Sequence, residues 1–162
     1  MMSADAVPST SINLHGTAVA IGDCAALLRG PSGAGKSDLA LRILGLSPGL
    51  LVAHAPRLVA DDRVIATAGA DGVTVSCPPA LRGLIEVRGV GIVHVPSVEC
   101  ARLELVVDLA PTGTLERLPE PTSAEICGIA VRRAQLAPFE ISAAIKLVLA
   151  LTGAANDGAV LR

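Results

Sequence analysis

A mixed α/β fold is what this chain predicts, and three observations carry the prediction. The first is Gly30-Pro31-Ser32-Gly33-Ala34-Gly35-Lys36-Ser37, which fits G-x-x-x-x-G-K-[ST] at every fixed position and sits between a short apolar run and a helical pattern. The second is a row of short alternating segments between Asp62 and Asp108 with no helical pattern among them. The third is composition: of 162 residues, 51% are hydrophobic and 17% charged, enough for one domain with a substantial core. Strict alternation of strand and helix would mean a doubly wound parallel sheet. Its absence favours a mixed sheet.

The elements follow in order. Residues 1–11 read as a flexible leader, 12–152 as the domain and 153–162 as a small, polar, mobile tail. Ile12 to Leu14 and Thr17 to Ile21 read as strands, and Gly22-Asp23 as the turn into a buried strand ending at Arg29. After the glycine-rich loop, Leu39, Ile43, Leu44 and Leu46 recur at near-helical spacing until Gly45 and Pro48-Gly49 stop the pattern. Arg57 to Ala60 is a short strand ending at Asp61-Asp62. Arg63 to Thr67 and Gly72 to Ser76 form a hairpin, which Cys77-Pro78-Pro79 breaks. Leu84 to Arg88 and Gly91 to Val95 are extended, and Leu103 to Asp108 is a buried strand. A loop from Pro111 to Pro121 carries Arg117. Ile126 to Val131 reads as a strand, and Pro138 as the start of a helix from Phe139 to Leu151.

Composition also excludes function classes. One Phe, with no Tyr or Trp, and a net charge of −2 argue against nucleic acid and anionic lipid as partners. Cys24, Cys77, Cys100 and Cys127 form no C-x-x-C pair, so zinc is not expected and the thiols read as reduced and buried. No basic segment leads into an apolar one at the N-terminus, and Ala143 to Leu151 is short and contains Lys146. A cytoplasmic protein without a membrane span is expected.

The chemistry starts from the loop. Glycines let successive N–H groups curl towards phosphate oxygens, and the following helix adds its positive dipole end. Lys36 has the reach for the β- and γ-phosphates, and Ser37 has the hydroxyl for Mg²⁺. Pro31 removes one donor, so the other N–H groups must serve. Asp61 and Asp62 are adjacent at a strand end and point different ways, so one faces metal and the other substrate; a solvated turn beside Arg63 is the alternative. Glu86 and Arg88 lie two apart on one face of an extended segment, as a metal ligand and a phosphate clamp or as a surface ion pair. His15 has either an active-site or a structural role.

Together these elements resemble the HPr kinase/phosphorylase family. The resemblance rests on His15-Gly16, on Gly30 to Ser37 followed by Asp38, on Leu58-Val59-Ala60-Asp61-Asp62-Arg63-Val64 and, most specifically, on Leu84 to Ile92. It implies a nucleotide-binding fold similar to that of phosphoenolpyruvate carboxykinase. It also implies ATP- or pyrophosphate-dependent, Mg²⁺-dependent phosphorylation of a serine on the phosphocarrier HPr, phosphorolysis of that phosphoserine to pyrophosphate, and a hexamer. By position, the resemblance makes Asp61 the catalytic base, Lys36 the phosphate clamp, and His15 and Arg117 active-site residues. Ser37 and Glu86 become Mg²⁺ ligands, with Asp62 close to the metal. The chain is expected to be a short form lacking the family's usual N-terminal domain, with residues 46–56 resembling an insertion. The late loop, which usually carries Pro-Gly-Arg, is placed at Ala130-Val131-Arg132-Arg133-Ala134-Gln135, so Arg132, Arg133 and Arg88 are the candidates for handling substrate or inorganic phosphate. Two other classes stay open: a P-loop kinase or NTPase for a small molecule, and a nucleotide-binding regulator without catalysis.

Overall fold

The glycine-rich loop hangs from the middle of a curled, mixed nine-stranded sheet. The computed structural model describes residues 10–153. In chain order the elements are β1 (Ser11–His15), β2 (Thr17–Ile21), β3 (Cys24–Arg29), α1 (Lys36–Leu44), β4 (Arg57–Ala60), β5 (Arg63–Gly69), β6 (Gly72–Ser76), β7 (Leu84–Val87), β8 (Gly91–His94), β9 (Cys100–Leu109), β10 (Thr122–Ile126), β11 (Ile129–Leu136) and α2 (Ala143–Thr152). The main sheet runs β1-β5-β6-β9-β3-β2-β4, with β11 also on β9 and β10 outside β11. Among the described strands, β3–β9 and β9–β11 pair in parallel and the other ladders are antiparallel, as the mixed-sheet reading requires. The hairpin β7–β8 is a separate two-stranded sheet.

The sheet buries both faces at its centre. Along β2 and β3, Val19, Ile21, Ala26 and Leu28 face one core while Ala18, Ala20, Ala25 and Leu27 face the other. That is why both strands read as near-continuous apolar runs instead of alternating ones. Leu39 and Ile43 of α1 and Leu147 and Leu151 of α2 cover the first face, while Val64, Val73 and Val75 of the curled-over strands fill the second. Both cores are built from Ala, Val, Leu and Ile, with Cys77 added in the second, and neither holds an aromatic ring.

β9 is ten residues long and has a divided edge. Its start pairs with β6 through Arg102 and its end pairs with β11 from Leu105 onward, while β3 runs along the other side.

Four sequence expectations need correcting. The strand expected over Ile126–Val131 is the tip of the β10–β11 hairpin: Cys127 (φ 51°) and Gly128 (φ 76°) both take left-handed conformations, which suits a tight two-residue turn. Apolar residues on both sides hid it. The last helix begins at Ala143, not Phe139, because the buried stripe Ala143, Ala144, Leu147, Val148, Leu151 starts there, while 138–142 form turns with Phe139 and Ile141 facing outward. Ser11, the last residue of the expected leader, is already in β1 opposite Thr67. Of the four thiols, all free, only Cys77 is buried, and Cys100 is exposed. The rest of the leader and the tail beyond Gly153 lie outside the described residues. Among the described residues no helix is long and apolar enough to cross a membrane.

Candidate active site

The loop Gly30–Gly35 leaves the end of β3 and opens α1 at Lys36. Its curl depends on Gly33 (φ 82°) and Gly35 (φ 97°), values that disfavour any side chain. Lys36 is nearly buried, and its ammonium donates to the carbonyls of Gly30 at 2.7 Å and Pro31 at 2.9 Å. The Pro31 carbonyl also accepts from the Ala34 N–H. Pro31 therefore serves the loop as an acceptor, and its missing N–H is not called upon.

Asp61, just past β4, is half-buried and held by three neutral donors. Thr17 at the start of β2 donates to Oδ1 at 2.9 Å, Ser37 in the first turn of α1 donates to the same oxygen at 2.8 Å, and the Glu86 N–H on β7 reaches Oδ2 at 3.2 Å. Four elements thus converge on one carboxylate. Asp62 takes the left-handed conformation (φ 66°), which Asp tolerates better than most residues, and this turns its side chain away. Its Oδ1 lies 3.1 Å from His15 Nδ1, with both groups solvent-accessible. The two adjacent acids divide as a strand end requires: one faces the loop, the other the histidine. Gly16 makes this approach possible, since it bonds the Asp62 carbonyl while a Cβ on it would come 2.7 Å from the Leu28 carbonyl oxygen.

These groups line one cleft of about 670 Å³. It brings together His15, Lys36, Ser37, Asp61, Asp62, Glu86 and Arg88, with Ser32, Gly33 and Gly35 from the loop. Ser37 Oγ and the Asp61 carboxylate supply hard oxygens of the kind Mg²⁺ prefers. Among the described residues there is no group of three His, Cys, Asp or Glu side chains able to cage a metal alone. A donor set this sparse suits an ion completed by water and phosphate oxygens. It is Asp61, rather than Asp62, that sits against Ser37.

Three predicted arginines are not brought to the cleft. Arg117 is exposed in the loop between β9 and β10. Arg132 and Arg133 lie on β11, not in a loop: Arg132 donates to the Ala150 carbonyl, and Arg133 pairs with Asp108. Asp108, at the end of β9, also takes Arg29 at 2.8 Å. Burial alone pushes the Asp108 carboxyl up, but the hydrogen bonds and charges of Arg29 and Arg133 outweigh it and hold it below the usual carboxylate value. The late segment that does reach the loop is Pro138-Phe139-Glu140, downstream of the expected 130–135. Phe139 packs on Gly35, and the Arg42 guanidinium donates to the carbonyls of Pro138 and Glu140.

Sequence reasoning missed Thr17, Arg42 and Phe139. Thr17 left a signal: a hydroxyl directly after His15-Gly16, opening a strand with no other polar residue. Phe139 left another, as the one aromatic residue of the chain.

Residues 8–150 match the family model described as the HPr serine kinase C-terminal domain. The HPr kinase/phosphorylase of Burkholderia lata is 36% identical over 131 residues, covering 74% of this chain and 38% of that protein. That of Burkholderia cenocepacia matches to the same extent. The chain therefore spans well under half the length of these curated relatives. The HPr(Ser) kinase/phosphatase structure from Coxiella burnetii superposes with a TM-score of 0.72 at 22% identity, over 90% of each chain, and shares the fold.

Proposed function

The chain belongs to the HPr serine kinase C-terminal domain family, and we propose that it transfers the γ-phosphoryl group of ATP, or the phosphoryl group of pyrophosphate, to a serine hydroxyl of the phosphocarrier protein HPr. The observation that carries this reading is the convergence of Thr17, Ser37 and the Glu86 N–H on Asp61, at the mouth of a complete phosphate loop.

The chain's own residues divide the work. The loop N–H groups and the N-terminus of α1 seat the donor phosphates. Lys36 exchanges its bonds to the Gly30 and Pro31 carbonyls for bonds to phosphate oxygens, where charge accumulates in the transition state. Asp61 Oδ1 already accepts two hydroxyl bonds while Oδ2 accepts one N–H, so Oδ2 keeps a lone pair for the seryl proton. His15 and Asp62 hold each other at the open side, where the acceptor arrives. Mg²⁺, held by Ser37 and Glu86 beside the Asp61 carboxylate, would neutralise phosphate charge, while Asp62 faces His15 and not the ion. Arg88 supplies a second cation on the cleft wall. Arg117, on the exposed loop between β9 and β10, reaches the site when that loop closes on the bound acceptor.

Phosphorolysis is the displacement run backwards: inorganic phosphate attacks the phosphoserine, pyrophosphate forms, and Asp61 returns the proton to the serine oxygen. A cytoplasmic hexamer completes the reading, and light scattering checks its assembly. Incubation with Mg-ATP and HPr, followed by mass spectrometry, tests the function. Phosphoserine on HPr is expected, and its absence, together with an unchanged Asp61→Asn variant, refutes it.

A further inference from the structure

A chain with one aromatic residue leaves that ring largely in solvent. Phe139 is 68% exposed, while the large aliphatic side chains of the sheet interior are fully buried. Burial gains from it are small, so core formation does not explain its place.

Its position is specific. A Cβ at Gly35 would lie 3.0 Å from Phe139 Cζ and 3.1 Å from Cε1, so the ring edge rests on the backbone where the phosphate loop becomes a helix. Gly35 is the last loop residue before Lys36. The ring is therefore next to the donor phosphates' seat.

The backbone on either side of the ring is also held. Arg42, in the last turn of α1, donates to the carbonyls of Pro138 and Glu140 on either side of Phe139. The Glu140 N–H closes a turn on the Ala137 carbonyl at 3.3 Å, and Lys146 holds the Glu140 carboxylate at 2.5 Å. Pro138 is buried beneath it. The backbone that carries the ring is thus fixed before any ligand arrives, which lowers the ordering cost of stacking. Leu41 extends the apolar lining of the same cleft.

We infer that Phe139 is the platform on which the base of the donor nucleotide stacks. The inference rests on the donor-site reading above and adds what the phosphate loop alone does not provide, a contact for the nucleoside. A flat apolar ring offers a π-face and no hydrogen-bond code, so stacking tolerates either purine. ATP and GTP bind within a few fold of each other.

The test compares two probes by calorimetry on the full chain: Mg-ADP, which has a base, and Mg-tripolyphosphate, which has none. Phe139→Ala weakens ADP roughly tenfold, the scale of losing one base–aromatic stack. It leaves tripolyphosphate within about twofold, and Phe139→Tyr restores ADP binding. An equal loss for both probes, or no loss for ADP, overturns the inference and leaves the donor site intact. A wild-type chain that binds neither probe overturns the donor-site reading as well. Because Phe139 is exposed, the variants fold, and matching thermal melts verify it.

Discussion

Two carboxylates end neighbouring parts of the sheet and meet opposite fates. Asp61 is held by two hydroxyls and a backbone N–H, all neutral, in an open cleft. Asp108 is held by two guanidinium groups, Arg29 from β3 and Arg133 from β11. Neutral donors orient a carboxylate and leave its charge to act on whatever enters, whereas paired cations consume that charge in fastening three strands together. Although Arg29 directly precedes the phosphate loop, its charge is committed to Asp108 and not to phosphate.

The sharpest way to break this contrast is Asp61→Asn. Removing the base should lower phosphotransfer at least about a hundredfold while the melting temperature barely moves, as read from a phosphoserine assay beside thermal melts. A large stability loss would make Asp61 structural after all. Lys36→Ala should lose activity on the same scale.

Asp108→Ala should invert that pattern. Leaving two arginines face to face without their shared acid costs about 2 kcal/mol in denaturant unfolding, discounted for its partial exposure, with the folded fraction keeping its activity within a few fold. Acid should expose the same pair. The Asp108 carboxyl lies below its ordinary value in the folded chain. Its contribution is therefore complete above the unfolded carboxylate value of about 4 and disappears as pH falls through the folded value. Melting temperature against pH should accordingly fall less on the acid side in Asp108→Asn than in wild type.

The smallest effect falls on Thr17. Thr17→Val preserves shape and deletes one of the three bonds to Asp61, with an expected cost of about 1 kcal/mol in stability and several-fold in rate, while Thr17→Ser recovers both. If Val and wild type agree in rate, the orientation of Asp61 does not depend on its neutral donors.

Much of this site was legible along the chain because it is written in local segments. The loop from Gly30 to Ser37, the acids at 61 and 62 and the stretch from Glu86 to Arg88 each carry their own spacing, and the cleft brings them together. What failed was what depends on pairing across the sheet. Arg132 and Arg133 looked like a substrate loop, yet they sit on a strand whose parallel register with β9 places Arg133 opposite Val106, within reach of Asp108. No periodicity reveals a parallel partner more than 20 residues away. The 138–142 segment misled for a local reason: Pro138 suits a helix start, but the apolar stripe that would reward a helix begins only at Ala143.

The divided edge of β9 has a consequence for how the molecule is made. β3, which ends in the phosphate loop, has β2 on one side and finds its other neighbour only when Cys100 to Leu109 arrives, about 75 residues later. A nascent chain that has emerged only to Glu99 already holds every residue of the loop, Asp61 and Glu86, yet carries them on a sheet with an open apolar edge. Synthesis therefore passes through an interval in which the chemistry is encoded and the scaffold is sticky. Chain ends trimmed before β9 should accumulate as aggregates, not as weak enzymes.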